Sequence, residues 1–216
     1  MSVSASEVKD LREKTGAGIL DCRKALLEVN GDFDAAVDWL RAKGIAKAAK
    51  TATRAATEGT VYAYIHGGGK LGVLLEVNCE TDFVAMSEDF QAFVRDVAMH
   101  IAAANPLWVR EDEADPAVIE RERGVARQQA IESGKPEAIA EKMVAGKINK
   151  YLAESTLLLQ PFIKDEDKTV GQLQTALAAK TGENIQIRRF TRWQLGEGLT
   201  KKADNFLEEV ARMSNG

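Results

Sequence analysis

Apolar residues recur at helical spacing over the first 44 positions, in three short runs separated by turn residues. Val8 and Leu11 share one face behind Ser4 and Glu7, which have capping-box spacing, and Gly16 can end this run in the left-handed conformation. Ile19, Cys22 and Leu26 line a second helix of about residues 18–29, stopped at Gly31. Asp32 is a natural N-cap for a third, with Phe33, Ala36, Val37 and Leu40 inward and Gly44 after it. Residues 1–45 thus read as a three-helix bundle. That is near the lower size limit for folding alone, which suits a module that presents a surface. Residues 46–58 contain no large apolar side chain, and Lys47, Lys50 and Arg54 keep them polar, so they read as a linker that can be helical.

Beyond the linker the period changes. VYAYIH (61–66) alternates, Gly67 to Gly69 turn the chain, and residues 70–78 return as a more buried strand. Phe90, Phe93, Val94, Val97 and Ile101 define a helix over 87–104, capped by Ser87 and ended by Asn105-Pro106. Asp115-Pro116 opens a helix to about residue 133, and 137–154 forms another in which Val144, Ile148 and Tyr151 fall at heptad spacing. Thin apolar stripes on both predict a protruding helical hairpin over about 116–154. LLLQPFI (157–163) is strand-like and KDEDK turns. Residues 169–181 form a helix with Val170, Leu173 and Leu177 inward. Residues 184–195 alternate, with Ile185, Ile187, Thr191, Trp193 and Leu195 on one face. Residues 201–213 close the chain as an amphipathic helix through Phe206, Leu207 and Val210, within a C-terminal helical module of 201–216. The expected class is α+β: a helical bundle, then a core over 59–200 with antiparallel strands and the hairpin as an insertion.

Composition narrows the function. A net charge of −4 argues against general nucleic-acid binding. The acidity is concentrated: residues 56–117 carry three basic and eleven acidic side chains, between near-neutral flanks. No run of 18 apolar residues predicts a membrane span, and the polar N-terminus has no apolar signal region, so a cytoplasmic location is expected. Cys22 and Cys79 lie 57 residues apart inside apolar patterns and read as buried thiols, which leaves an oxidoreductase reading without support. GGGK at 67–70 lacks the glycine spacing, the hydroxyl residue and the following helix of a phosphate loop, and TGAG at 15–18 follows no strand. His66 at a turn and His100 on a helix flank have no metal-ligand partners at the right spacing. Glu76 and Glu80 could be imagined as an acid–base pair, but carboxylates at a strand end are usually solvated. No cofactor, metal or catalytic residue is expected, and the chain does not read as an enzyme. One segment stands apart: Phe83, beside Asp82, follows a buried strand and precedes the Ser87 cap. It is either a core residue or an outward probe, and the pattern leaves both open.

VKDLREKTGAGILDCRKALLEVNGDFDAAVDWLR (8–41) and EVNCETDFVA (76–85) closely resemble the two hallmark segments of the elongation factor Ts family. SGKPEAIAEKMVAGKINKYLAE (133–154), LLLQPFIKDEDKTVGQL (157–173) and GENIQIRRF (182–190) with LGEGL (195–199) are similar in family order, so the likeness covers nearly the whole chain. The resemblance implies a ubiquitin-associated-like N-terminal bundle. It implies a guanine-nucleotide exchange factor that binds elongation factor Tu, expels GDP and lets GTP enter. By the same resemblance Thr81, Asp82, Phe83 and Val84 form the intruding wedge, and Leu11, Arg12, Ile19 and Leu20 are contacts on the bundle. Long members of the family have two related core halves, whereas this chain has one hairpin-plus-helix copy; short members can dimerise, so a homodimer is open. The alternative is a non-catalytic adaptor using its N-terminal bundle, which would have no need of a TDFVA segment.

Overall fold

The computed structural model describes residues 3–15, 17–134 and 136–200, so the expected Gly16 stop and C-terminal helical module lie outside the described residues. The bundle consists of α1 (Ala5–Thr15), α2 (Ile19–Glu28) and α3 (Phe33–Thr51). Ser4 and Glu7 form the reciprocal cap: the Glu7 carboxylate accepts the Ser4 N–H at 2.8 Å, and the Glu7 N–H donates to Ser4 Oγ at 3.2 Å. Leu11, Cys22, Ala25, Leu26 and Ala36 are wholly buried between the three helices, with Val8 and Leu40 beside them.

The expected stop at Gly44 does not occur, and α3 continues to Thr51. A Cβ at Gly44 would lie 3.3 Å from the Ala179 side chain, so this glycine serves close packing of α3 on α8 (Val170–Thr181). Lys47 donates to the Ala179 carbonyl at 2.8 Å and Arg54 to the Gly182 carbonyl at 3.4 Å. Cations at a helix C-terminus satisfy its orphan carbonyls and complement its dipole. The first part of the segment read as a linker is therefore helical and packed on α8.

The core is a three-stranded antiparallel sheet in the order β1 (Glu58–His66), β2 (Leu71–Cys79), β5 (Gln186–Gln194). Gly67, Gly68 and Gly69 all adopt positive φ in the β1–β2 turn, as the tight connection requires. One face packs on α5 (Glu88–Ala104) and α8. Val73, Leu75, Val77 and Cys79 point into it at period two, against Phe90, Val94, Val97 and Ile101 from α5 and Val170 and Leu177 from α8.

The alternation in β5 holds only to Ile187. Glu76 pairs with Arg189 while Val77 pairs with Ile187, so Arg188 is an extra residue in a bulge. The bulge turns Phe190 toward the core and Thr191 and Trp193 outward, opposite to the expected parity. It also brings both arginines to one carboxylate, with Arg188 at 2.8 Å and Arg189 at 2.6 Å from Glu76, and these hydrogen bonds hold the Glu76 pKa below the usual carboxylate value. The result is an outer face on which Val61, Ile65, Leu74 and Trp193 are exposed.

Residues 157–163 are not a continuous strand. Leu157–Leu159 make a 3-10 turn, and only β3 (Pro161–Phe162) pairs with β4 (Asp165–Thr169), which includes much of the expected KDEDK turn. Pro161 cannot donate to a ladder, which limits the strand. The hairpin helices α6 (Pro116–Glu132) and α7 (Glu137–Ser155) follow the expected bounds closely. Small Ala126 and Ala130 meet Val144 and Ile148 along their seam, while Tyr151 instead packs edge-on against Trp108 at the base.

His100 is buried rather than on a flank. Its Nδ1 accepts the Ile163 N–H at 3.3 Å, which leaves Nε2–H to donate to Gln160 Oε1 at 2.9 Å. The Gln160 amide in turn donates to the Glu154 carbonyl at 2.6 Å, so the network joins α5, β3 and the base of α7. Burial lowers the His100 pKa. The unfolded chain, with an ordinary His pKa of about 6.5, binds a proton that the folded chain rejects. The contribution of neutral His100 is therefore fully present above about pH 6.5 and lost as pH falls toward the native value, by up to about 1.4 kcal/mol per pH unit. Denaturant titrations of a His100→Gln variant should show a smaller loss of unfolding free energy from about pH 7 to pH 5 than the parent shows. Equal losses would remove His100 from the acid response.

Candidate functional site

The residues after β2 are fixed by parity. Cys79 ends the strand pointing inward, so the chain leaves the sheet at Glu80 with its next apolar obligation at Ala85, which is buried. Between them α4 (Asp82–Ala85) forms a single helical turn. Thr81 is its N-cap and accepts the Val84 N–H at 3.3 Å. Ser87 donates to the Val84 carbonyl at 2.7 Å and caps α5 by accepting the Phe90 N–H at 3.3 Å. Gln91 reaches back to the Ala85 carbonyl at 2.7 Å. Val84 packs against the core, while Asp82 lies outward at the first position of α4.

Phe83 is left 80% exposed on this tied turn, with Met86 exposed beside it. The turn also rests on β1, where a Cβ at Gly59 would sit 2.1 Å from the Val77 carbonyl oxygen; only glycine lets β1 and β2 approach there. Cys79 lies underneath, its Sγ donating to the Thr81 carbonyl at 3.2 Å, and burial pushes its thiol pKa up to about 11. A thiol so poor in thiolate is a packing group, not a nucleophile.

The other sequence-derived residues lie on the bundle. Leu20 is 82% exposed and Ile19 57% exposed at the start of α2, and Arg12 is exposed on α1. Ile19 is thus not one of the inward residues of α2, since Cys22, Ala25 and Leu26 fill that face. Leu11 is wholly buried in the bundle core, so it can support the surface but cannot itself make a contact on it. Sequence reasoning missed Met86 as an exposed companion of Phe83. It also missed Glu183 and Asn184, whose side chains reach the turn and the end of α3. Their one sequence signal is their place directly after the helix-ending Gly182, which adopts φ 75°.

Among the described residues no group of three or more His, Cys, Asp or Glu side chains could hold a metal, and no helix is long and apolar enough to cross a membrane. What the geometry offers is large apolar side chains held out from two rigid platforms, the arrangement of a docking surface. The chain matches the protein family described as Elongation factor TS over residues 45–197. It is 58% identical over 211 residues to an elongation factor Ts of Geotalea uraniireducens, covering 98% of each chain. Identity is 57% to that of Geobacter sulfurreducens and 56% to that of Alkaliphilus oremlandii, again over 98% of each chain. The chain belongs to the elongation factor Ts family, and its role is that of a translation elongation factor.

Because Phe83 is exposed, Phe83→Ala should change the unfolding free energy by no more than about 0.5 kcal/mol. Phe90→Ala, which empties a fully buried position, should cost roughly 3–5 kcal/mol. Denaturant melts of the two variants side by side check this; a Phe83→Ala protein as unstable as Phe90→Ala would place Phe83 in the core.

Proposed function

We propose that this chain is a guanine-nucleotide exchange factor for elongation factor Tu, acting by binding alone. The observation that carries the reading is Phe83, a bare aromatic on a turn too firmly tied to fold back. Thr81, Asp82, Phe83 and Val84 form the wedge: Phe83 enters the partner near its nucleotide site, Asp82 brings negative charge there, and Thr81 and Val84 hold the turn. Arg12, Ile19 and Leu20 form the second contact, on the partner's nucleotide-binding domain, and Leu11 sets their backbone from within the bundle. The adaptor alternative explains the bundle surface but leaves Phe83 without a purpose.

Labelled GDP bound to elongation factor Tu should leave faster when the parent protein is added. Phe83→Ala should slow that release sharply while weakening binding to the nucleotide-free partner by no more than one hot spot's worth, roughly 2–4 kcal/mol. Leu20→Ala should instead raise the concentration needed for half-maximal release, by about five- to thirty-fold if it removes one or two kcal/mol of contact. Parent-like release by Phe83→Ala would sink the wedge.

A homodimer is the second part of the proposal, and the outer sheet face supports it. Val61, Ile65, Leu74 and Trp193 are exposed together, and Trp193 pairs across the strands with Gly72, whose bare backbone leaves Ile65 room. Two such faces can pack sheet on sheet at about 10 Å, each hiding the other's apolar surface. Sedimentation equilibrium should find the parent dimeric and a Trp193→Glu variant monomeric; a parent that sediments as a monomer at every concentration rules the dimer out.

A further inference from the structure

The turn that carries Phe83 is held from a distant part of the chain. Glu183 follows the left-handed Gly182 at the end of α8, and its carboxylate crosses to the end of β2. Its Oε2 accepts the backbone N–H groups of Glu80 at 3.0 Å and Thr81 at 3.1 Å, and its Oε1 accepts the Thr81 hydroxyl at 2.7 Å. The tie is returned, since the Asn184 N–H donates to Glu80 Oε1 at 2.7 Å. The buried Asn184 amide then donates to the carbonyls of Ala52 at 3.2 Å and Arg54 at 2.7 Å, just beyond α3. Arg54 completes the ring at 3.5 Å from Glu80 Oε1.

Resting on the exchange reading, we propose that Glu183 is a positioning residue for exchange: its three hydrogen bonds to Glu80 and Thr81 fix the direction in which Phe83 leaves the platform. The chemistry selects a side chain that brings acceptor oxygens this far. Three donors converge on it, the two backbone N–H groups on one oxygen and the Thr81 hydroxyl on the other. A glutamine can keep both N–H groups on its Oε1 and donate its NH₂ to the Thr81 hydroxyl, which accepts as well as donates, so it is removal or shortening of the side chain that leaves the two N–H groups without their partner. Thr81 shows why the backbone direction then slackens. Its N–H and its hydroxyl are both held by Glu183, and the same hydroxyl caps α4 through the Val84 N–H. A wedge contributes only if it arrives in register with its cleft, so a looser turn should weaken the displacement step more than the encounter.

The test is Glu183→Ala in the full chain, with labelled GDP on elongation factor Tu. The maximal release rate at saturating factor should fall about ten-fold, with the half-saturating concentration moving less than about three-fold. Added to Phe83→Ala, the same change should slow release by less than about two-fold more, because residues acting through one unit do not combine independently. Amide hydrogen exchange supplies a readout independent of activity. The Glu80 and Thr81 N–H groups should be protected in the parent and lose protection in Glu183→Ala, or in the shorter Glu183→Asp should the alanine variant fail to fold. A parent-like maximal rate, a full ten-fold fall repeated on the Phe83→Ala background, or unprotected amides in the parent would each overturn the inference. If the parent releases no GDP, the exchange reading fails and the positioning role falls with it. If only Glu183→Ala matches the parent, exchange stands and the positioning role alone is lost.

Discussion

The site depends on a parity constraint at the end of β2. Val77 and Cys79 must face the helices, and Ala85 and Phe90 must face them again one turn later. With those four points inward, a single helical turn between them has to send its second residue outward. Full burial of a Phe would contribute roughly 1.5–3 kcal/mol, so an exposed one is under constant pull toward any apolar surface within reach. The hydrogen bonds of Thr81, Ser87 and Gln91 oppose that pull locally, and the inward packing of Ala85 and Val84 leaves no space beneath.

In the proposed reaction no bond is made or broken by this chain, so its whole effect must be a coupling free energy. A factor that binds the nucleotide-free partner more tightly weakens nucleotide binding by the same ratio. Nanomolar nucleotide affinity corresponds to about 12 kcal/mol, several times what one buried aromatic provides. One wedge is therefore insufficient, and the exposed start of α2 has to contribute binding energy alongside it. On this proposal the two substitutions should separate in kinetics, since one side chain would act where the nucleotide sits and the other where the partner is held.

Much of the fold was legible in the sequence because long amphipathic runs state their own period. The hairpin helices, α5, α8 and the β1–β2 turn follow directly from heptad spacing, capping residues and a glycine triplet. The misses have local causes. Gly44 looked like a helix stop because sequence cannot distinguish a left-handed glycine from one that clears room for α8. The β5 parity failed because a bulge is set by Glu76 on another strand, and nothing in residues 184–195 announces it. His100 looked like a flank residue because its partners, Gln160 and Ile163, are about 60 positions away. At the site, Phe83 stood out by its place after a buried strand, but its exposure needed the packing of Ala85. Glu183 showed only its place after the helix-ending Gly182, because a carboxylate holding backbone amides some 100 positions distant leaves no periodic pattern.

The continuation of α3 past Gly44 changes what kind of binder this chain is. A bundle on a flexible tether would sample many distances from the wedge, and each second contact would have to be found by diffusion. A 19-residue helix spans roughly 28 Å at its ordinary rise and behaves as a strut, not a string. Seated on α8 through Gly44 and Lys47, and on the Glu183 carbonyl just past it through Thr51, it gives the two surfaces one spacing. Such a pair acts as a calliper. If both surfaces bind as proposed, the effective concentration of the second jaw is high for a surface of matching span and nearly zero for any other, so the span itself becomes a criterion for choosing the partner.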